Sequence, residues 1–149
     1  MAKYKMLRDL VLELPNVQLH EAPRANDTEL LLAHDASYVQ RVISGTLSEA
    51  EQKAIGFPWS EKMVERSRRS VGATIAACQS ALKEGVAVNL AGGTHHAYRN
   101  KGSGFCVFND AAVEVLRGSA SMLFGRGQAG GVINQVSKKA FLDNKNSVS

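Results

Sequence analysis

A short apolar run in the middle of the chain leads directly into a glycine-rich loop that carries two adjacent histidines. The run at 86–90, Val-Ala-Val-Asn-Leu, has the continuous apolar character of a strand covered on both faces, which is typical of parallel sheets. Gly92 and Gly93 follow it and permit a sharp turn at its carboxyl end. Because open α/β sheets bind ligands at that edge, this order predicts an α/β protein with a pocket beside His95 and His96.

Helical patterns surround this predicted strand. The longest predicted helix has Ser60 as its N-cap and Gly85 as its stop, with one apolar face made of Val64, Val71, Ile75, Cys78 and Leu82. Asp35 is the expected N-cap of a helix that ends at Gly45. Further helices are predicted before Pro15 and after the capping-box pattern Ser48-Glu-Ala-Glu51, and a brief strand is predicted at 17–19. Alternation of strands and helices implies a parallel sheet.

Three arginines lie on the longest predicted helix, and their spacing favours a solvated face over a binding site. Arg66, Arg68 and Arg69 follow Glu61 and Glu65, so acidic partners at i,i+4 spacing are available.

The net charge of the 149-residue chain is +4, and it comes from the last part of the sequence. Lysine and arginine against aspartate and glutamate give 13 − 13 = 0 for residues 1–114 and 5 − 1 = +4 for residues 115–149. The basic residues of that tail are scattered among glycines without a helical stripe, which argues against nucleic-acid binding. No apolar stretch of signal-peptide or membrane-span length is present, so we expect a cytoplasmic protein that does not have a membrane as a partner. Two cysteines are too few for a disulfide framework.

Residues 92–97, Gly-Gly-Thr-His-His-Ala, and 104–110, Gly-Phe-Cys-Val-Phe-Asn-Asp, resemble the zinc-dependent histone deacetylase and acetylpolyamine amidohydrolase family. The stretches 32–39 and 56–60, Gly-Phe-Pro-Trp-Ser, extend the resemblance, which covers about residues 1–113. It implies a partial arginase/deacetylase-type three-layer fold with a parallel sheet, truncated at both ends relative to the family. With few strands available, we expect exposed sheet edges and self-association.

The resemblance also implies roles for individual residues in hydrolysis of an acetyl-lysine or acetylpolyamine amide. His96 would be the general base that returns its proton to the leaving amine, and His95 would hold the developing charge. Gly104 and Phe105 would form one side of the substrate tunnel. Cys106 would lie near the metal without being a ligand. The other candidates, His20, His34 and Tyr98, are expected to be packing or surface residues.

The family's zinc ligands are expected to be missing from this chain. The family takes them from an Asp-x-His segment and a later aspartate, yet no histidine follows His96 and the only aspartates after it are Asp110 and Asp143. Because zinc catalysis needs three protein ligands and an open position, we expect the chain to bind no zinc and to be inactive alone.

The remainder, residues 114–149, is an irregular glycine-rich tail that resembles the plug domain of TonB-dependent siderophore receptors. The resemblance rests on residues 117–139, including the stretch 125–134, Gly-Arg-Gly-Gln-Ala-Gly-Gly-Val-Ile-Asn. The same stretch matches Gly-x-Gly-x-x-Gly, but no strand leads into it, so a dinucleotide site is disfavoured. Two alternatives stay open: a non-catalytic interaction fragment or gene-fusion remnant, and a fragment of an outer-membrane siderophore receptor.

Overall fold

A computed structural model describes residues 2–117 of the chain, and within that range the architecture is helical. The helices in chain order are α1 (Ala2–Leu12), α2 (Asp27–Ala33), α3 (Ala36–Ser44), α4 (Glu49–Ile55), α5 (Glu61–Glu84) and α6 (Asp110–Arg117). The predicted plug-like stretch 125–134 lies outside the described residues.

Local capping signals in the sequence place most of these helix boundaries correctly. Ser48 accepts a hydrogen bond from the Glu51 amide and the Glu51 carboxylate accepts one from the Ser48 amide, which confirms the capping box of α4. The Ser60 hydroxyl accepts from the Met63 amide, and α5 ends at Gly85 as predicted. Helix α2 was not predicted, although its capping box between Asn26 and Glu29 is of the same kind.

The core lies where α5, α6, α2 and α3 meet. Helix α5 packs against α6 and α3, and α2 packs against α6 and α3. The largest side chains in this core are fully buried: Tyr38, Phe108, Leu30, Ile55, Val42, Val71, Val107 and Val113. The Trp59 indole packs against one side of the core and donates a hydrogen bond to the Val42 carbonyl at 2.7 Å. Burial of this apolar surface is the main force that holds the helices together.

The expected parallel sheet is not present among residues 2–117. Residues 86–90 have no strand assignment, and the Val86 and Val88 side chains are each 75% exposed. The brief strand expected at 17–19 is likewise irregular, and the described residues contain only an isolated bridge between Ser103 and Cys106. A strand requires a hydrogen-bonded neighbour, and no other described segment pairs with 86–90.

Arg68 corrects the expectation of a solvated arginine face. Its side chain is only 4% exposed, forms an ion pair with Asp27, and donates a hydrogen bond from Nη1 to the Ala25 carbonyl at 3.0 Å. The adjacent Arg69 does pair with Glu65 across one helical turn, at 2.8 Å, as predicted. The segment before α2 lies over this part of α5 and covers Arg68, a tertiary contact that helical spacing alone does not indicate.

Helix α1 lies apart from the core. It ends before Pro15, as predicted, but none of the other helices within residues 2–117 packs against it. Large apolar side chains on and just after it are therefore exposed: Met6, Leu7, Leu10, Leu12, Leu14 and Val17.

The closest backbone approach in this fold is made at Gly72 of α5, and it generates a stability prediction. A Cβ atom built on Gly72 would lie 2.1 Å from the Pro23 carbonyl oxygen, which is backbone and has little freedom to move. We expect Gly72→Ala to lower the free energy of unfolding by about 1–3 kcal/mol or more, because overpacking forces the backbone segments apart. Urea denaturation followed by circular dichroism measures the change.

Gln79→Ala on the exposed side of the same helix is the matched control, because it also adds an alanine to α5 without approaching another segment. If Gly72→Ala and Gln79→Ala unfold at the same urea concentration as the unaltered chain, the close approach at Pro23 does not exist in solution.

Candidate active site

Residues 91–99, which carry the histidine pair, are called the histidine loop. The start of this loop is attached to α5 by hydrogen bonds. The Ser70 hydroxyl donates a hydrogen bond to the Ala91 carbonyl at 2.9 Å. The Asn89 side-chain amide donates to the Ser70 carbonyl at 3.0 Å and to the Thr74 hydroxyl at 2.9 Å. Polar groups on the middle of α5 therefore determine where the loop begins, a role that the predicted caps and apolar face of this helix do not indicate.

Asp110, the first residue of α6, fastens the loop immediately before the histidines. Its side chain accepts hydrogen bonds from the amides of Gly93 and Thr94, each at 2.8 Å, and from the Thr74 hydroxyl at 2.9 Å. The residue is only 2% exposed. A buried carboxylate is tolerated when its oxygens accept several hydrogen bonds, so this charge holds the glycine turn against α5 and α6.

Asn109 fastens the loop on the other side of the histidines and also caps α6. Its side-chain oxygen accepts from the Ala112 amide at 2.9 Å, which is the hydrogen bond of an N-cap residue. Its side-chain nitrogen donates to the carbonyls of His95 and Ala97, at 3.1 and 2.8 Å. The backbone on both sides of His96 is thereby fixed by one side chain.

The two histidines lie next to each other and are both exposed. Their ring centroids are 4.5 Å apart and the ring planes are inclined by 35°. Only His96 is among the residues that line the adjacent cleft. His96 is therefore the histidine of the pair that faces the space where a ligand could lie.

Gly104 and Phe105 line the same cleft as His96, and Gly104 lies beside His96. Their amides donate to the carbonyls of Ala54 and Ile55 at the end of α4, at 3.1 and 2.7 Å. Both residues have positive φ, 54° for Gly104 and 65° for Phe105. A Cβ on Gly104 would lie 3.4 Å from the His96 Cβ, close to ordinary contact, so it is mainly the positive φ that favours glycine at this position.

The Phe105 side chain stands at the rim of the cleft and is 66% exposed. Its ring is 5.4 Å from the Phe57 ring, and the guanidinium of Arg66 lies 4.7 Å from the Phe57 ring centre. A bulky residue at positive φ is uncommon and costs free energy. The fold nevertheless holds Phe105 in this conformation, with its apolar ring presented to solvent.

The cleft has a volume of about 1150 Å³ and collects most of the predicted site residues. His96, Gly104, Phe105 and Cys106 all line it, whereas His95 does not. Its far wall includes Tyr4 of α1 and charged side chains of α5, among them Glu61, Lys62, Glu65, Arg66 and Arg69. Cys106 is buried and donates a weak hydrogen bond from Sγ to the Gly104 carbonyl at 3.4 Å.

The side chains that the structure describes, those of residues 3–113, do not fit a zinc ion. No group of three or more histidine, cysteine, aspartate or glutamate side chains among them could hold a metal. The carboxylate of Asp110 is occupied by loop amides, and the His34 Nε2 accepts from the Asn109 amide at 2.9 Å. A structural or catalytic zinc needs three or four convergent ligands, and the described side chains do not converge in that way.

The histidines outside the pair occupy different environments, as their expected packing or surface roles allow. His34 is buried, with ring centroids 5.7 Å from Tyr38 and 5.5 Å from Phe108. His20 and Tyr98 are exposed. The sequence did not indicate which residues hold the loop in place. Asn89, Asp110 and His34 do so through hydrogen bonds to residues that are distant in the chain.

Comparison with known proteins identifies the family to which this arrangement belongs. The family profile of the histone deacetylase domain matches residues 1–124. The chain belongs to the histone deacetylase family. An uncharacterised protein of Picosynechococcus is 41% identical over 116 residues, and the match covers 76% of this chain and 39% of that protein. The acetoin utilization protein AcuC of Staphylococcus xylosus is 32% identical over 127 residues, covering 76% of this chain and 33% of that protein.

Solved structures give the same relationship. A deacetylase homologue from Aquifex aeolicus superposes with a TM-score of 0.64 at 27% identity, over 76% of this chain and 33% of the homologue. A deacetylase homologue solved in complex with SAHA superposes with the same TM-score at 28% identity, over 76% of this chain and 33% of that structure. The fold is thus of the deacetylase type, which is an α/β fold, although the described residues are mostly helical.

The chain spans between a third and two fifths of the length of these relatives. The family match also runs through residues 114–124, which overlap the plug-like fragment predicted from residue 114. This overlap supports the deacetylase resemblance in that stretch and does not support the plug resemblance. No helix within the described residues is long and apolar enough to cross a membrane.

The fastening role of Asp110 generates a second prediction. In Asp110→Asn, an NH₂ group replaces an oxygen that now accepts hydrogen bonds, so at least one buried donor loses its partner. We expect the free energy of unfolding to fall by about 1–3 kcal/mol. Amide exchange at Gly93 and Thr94, measured by nuclear magnetic resonance, should accelerate more than exchange in the middle of α5.

Asp9→Asn serves as the matched control, because Asp9 is a largely exposed aspartate on α1. The fastening role is wrong if the two variants have equal stability, or if the Gly93 and Thr94 amides keep their protection in Asp110→Asn.

Proposed function

We propose that this chain carries the proton-transfer half of a deacetylase site, with His96 as the general base and general acid. His96 would take a proton from the water that attacks the acetyl carbonyl, and would then give it to the amine nitrogen as the carbon–nitrogen bond breaks. His95 would hold the charge that develops on the carbonyl oxygen and orient that oxygen. An imidazole suits both directions of transfer, because its usual pKa lies near neutrality.

One observation carries this proposal: His96 and Gly104–Phe105, separated in the sequence, come together at a single cleft. The same loop fastening that fixes the His96 backbone leaves its side chain exposed toward that cleft. General acid–base catalysis requires a titratable group held in place beside a substrate-sized space. The arrangement meets that requirement at His96.

We propose an acetyl-lysine or acetylpolyamine amide as the substrate class. Both present a slender alkyl stem behind the acetyl group, and an exposed aromatic ring such as Phe105 can pack along such a stem. Gly104 adds no side chain of its own and so leaves room beside His96. Cys106, buried at the bottom of the cleft, would contribute to its shape and not to metal binding.

We further propose that the chain alone does not turn over such a substrate. Residues 2–117 offer no side-chain cluster for zinc, so the ligands of the family's metal would have to come from another polypeptide or segment. The reaction steps assigned above to His96 and His95 would then require an assembled site. Such an assembly would act in the cytoplasm, without a role for nucleic acid or membrane.

The domain division is also a proposal: a deacetylase-like domain over about residues 1–113, followed by a plug-like fragment over 114–149. The change in charge balance near residue 114 supports a boundary there. The family match that continues to residue 124 would move the boundary further along the chain. A gene-fusion remnant or a receptor fragment remains the alternative origin of the tail.

Self-association is a second candidate property, supported by the bare segment 86–90. Val86 and Val88 point away from the core on a segment without a strand partner, and apolar residues of α1 are exposed as well. An unpaired extended segment offers backbone donors and acceptors to a second copy of the chain. We propose that this segment pairs with its counterpart in another molecule.

The activity proposal predicts that turnover appears only on complementation. We expect the chain alone to leave an acetyl-lysine peptide unhydrolysed with added zinc. Mixed with a polypeptide comprising the part of the Picosynechococcus relative that the match leaves uncovered, it should give turnover. In that mixture His96→Ala should lower kcat by at least about 100-fold, since general acid–base catalysis contributes that much.

His20→Ala is the matched control, because His20 is exposed and does not line the cleft. Zinc-dependent turnover by the chain alone that disappears in His96→Ala would show that the chain holds its own metal. A complemented assembly that is equally active with His96→Ala would remove His96 from the reaction.

The self-association proposal predicts that positive charges placed on segment 86–90 weaken the association. We expect the double variant Val86→Lys, Val88→Lys to shift the chain toward monomer, because lysines on an edge oppose strand pairing. Light scattering after size-exclusion chromatography over a range of concentrations measures the mass. The double control Gln79→Lys, Glu84→Lys adds lysines to the exposed side of α5 instead. A chain that is already monomeric and binds no hydrophobic dye would contradict the proposal.

A further inference from the structure

His34 is a buried histidine that joins two points of the catalytic loop. It follows α2 directly, and its Nδ1 lies 3.3 Å from the Arg99 carbonyl, three residues beyond His96. Its Nε2 accepts a hydrogen bond from the Asn109 amide at 2.9 Å. The ring therefore bridges the end of the histidine loop and the start of α6.

These two contacts determine the protonation form of His34. Nε2 accepts from a backbone N–H, so it carries no proton in this arrangement. The proton of the neutral ring is then on Nδ1, where it is donated to the Arg99 carbonyl. A protonated imidazolium would place an N–H against the N–H of Asn109, and that contact would be lost.

Asn109 connects His34 to the histidine pair through hydrogen bonds. The backbone amide of Asn109 is held by His34, while its side chain holds the carbonyls of His95 and Ala97. The Arg99 carbonyl that His34 holds also accepts from the Asp35 amide at 2.9 Å. Two further contacts hold this part of the loop: the Tyr98 amide donates to the Lys101 carbonyl at 2.8 Å, and the Arg99 guanidinium donates to the Asp35 carboxylate at 2.6 Å.

We propose that His34 is a positioning residue for the histidine pair, acting as a neutral bridge between Arg99 and Asn109 that sets the path of the loop carrying His95 and His96. The proposal rests on the proposed function in one respect, the catalytic use of that pair. It assigns no contact between His34 and substrate. It predicts that the loop geometry depends on whether His34 is neutral.

The surroundings of His34 favour the neutral ring. Burial lowers its pKa from the usual value of 6.5, and the carbonyls of Arg99 and Tyr98 and the charge of Asp35 oppose this only in part. The guanidinium of Arg99 pairs with Asp35 at 2.6 Å and offsets that charge. From α3, Tyr38 presents a neutral ring, and from α6, Asp110 directs its carboxylate to the amides of Gly93 and Thr94.

The lowered pKa gives the direction of the pH dependence. In the unfolded chain His34 takes up a proton near pH 6.5, whereas in the folded chain it resists until a lower pH. The stability that neutral His34 contributes is therefore complete above that value, and it decreases as pH falls from 6.5 through the folded pKa. The loop should loosen over the same interval, since the Asn109 amide then loses its acceptor.

Hydrogen exchange followed by mass spectrometry on the full chain tests the proposal without metal or substrate. Exchange of peptides covering 95–110 is compared between pH 7.5 and pH 5, after correction for the intrinsic pH dependence of exchange. Three variants accompany the unaltered chain. In His34→Gln the side-chain oxygen can still accept from Asn109 and does not titrate, in His34→Leu both contacts are removed, and His20→Gln is the exposed control.

We expect acid to accelerate corrected exchange of 95–110 on the order of tenfold in the unaltered chain and in His20→Gln, which is the effect of one lost buried hydrogen bond. In His34→Gln the acid effect should be absent, with protection largely retained. In His34→Leu exchange should be fast at both pH values, while peptides within 71–78 of α5 stay protected.

The proposal is overturned if His34→Gln responds to acid as the unaltered chain does, because the titrating group would then lie elsewhere. It is also overturned if 95–110 in the unaltered chain shows no acid effect. If His34→Leu exposes α5 peptides as well, the comparison between the unaltered chain and His34→Gln still decides. A failed turnover experiment changes none of these measurements, so the two proposals fail separately.

Discussion

The buried carboxylate of Asp110 is the interaction on which the arrangement of this site depends. Moving a charge out of water costs several kcal/mol even after the protein relaxes, and hydrogen bonds to a charged group return about 1.5–3 kcal/mol each. Asp110 obtains them from Gly93, Thr94, Thr74 and the Ala111 amide of its own helix. These hydrogen bonds form only while the loop and the two helices stay together, so the position of the histidine loop is coupled to the integrity of the core.

The two histidine side chains and the polar groups that hold the loop lie on opposite sides of the loop backbone. His95 and His96 are exposed, whereas Asp110 and His34 are buried beneath the same loop. The polar groups on the buried side form hydrogen bonds to the loop, and the exposed side presents the two imidazole rings to solvent. A loop supported in this way can present side chains accurately without a covering sheet, which explains how a site can be shaped within a mostly helical segment.

The sequence predicted the local features of this chain well and the tertiary ones poorly. Ser48, Ser60 and Gly85 mark helix ends through contacts within four residues, so pattern alone identifies them. The histidine pair and Phe105 were found because their spacing resembles a known family. By contrast, the burial of Arg68 and the bridging role of His34 depend on segments about 40 and 65–75 residues away. The strand predicted at 86–90 is not formed among the described residues for the same reason. A strand needs a hydrogen-bonded neighbour, and local composition does not show whether one is present.

Phe105 combines a strained backbone conformation with an exposed aromatic ring at the cleft. Its backbone has a φ that L-residues with bulky side chains disfavour, and its ring is largely in water. The backbone conformation raises the free energy of the folded chain, and the exposed ring gains little by burial to offset that cost. A glycine there would relieve the backbone and expose no apolar ring. Selection for heat resistance alone would therefore replace Phe105 early, and retention of phenylalanine at this place in homologous chains would report selection for binding and not for folding.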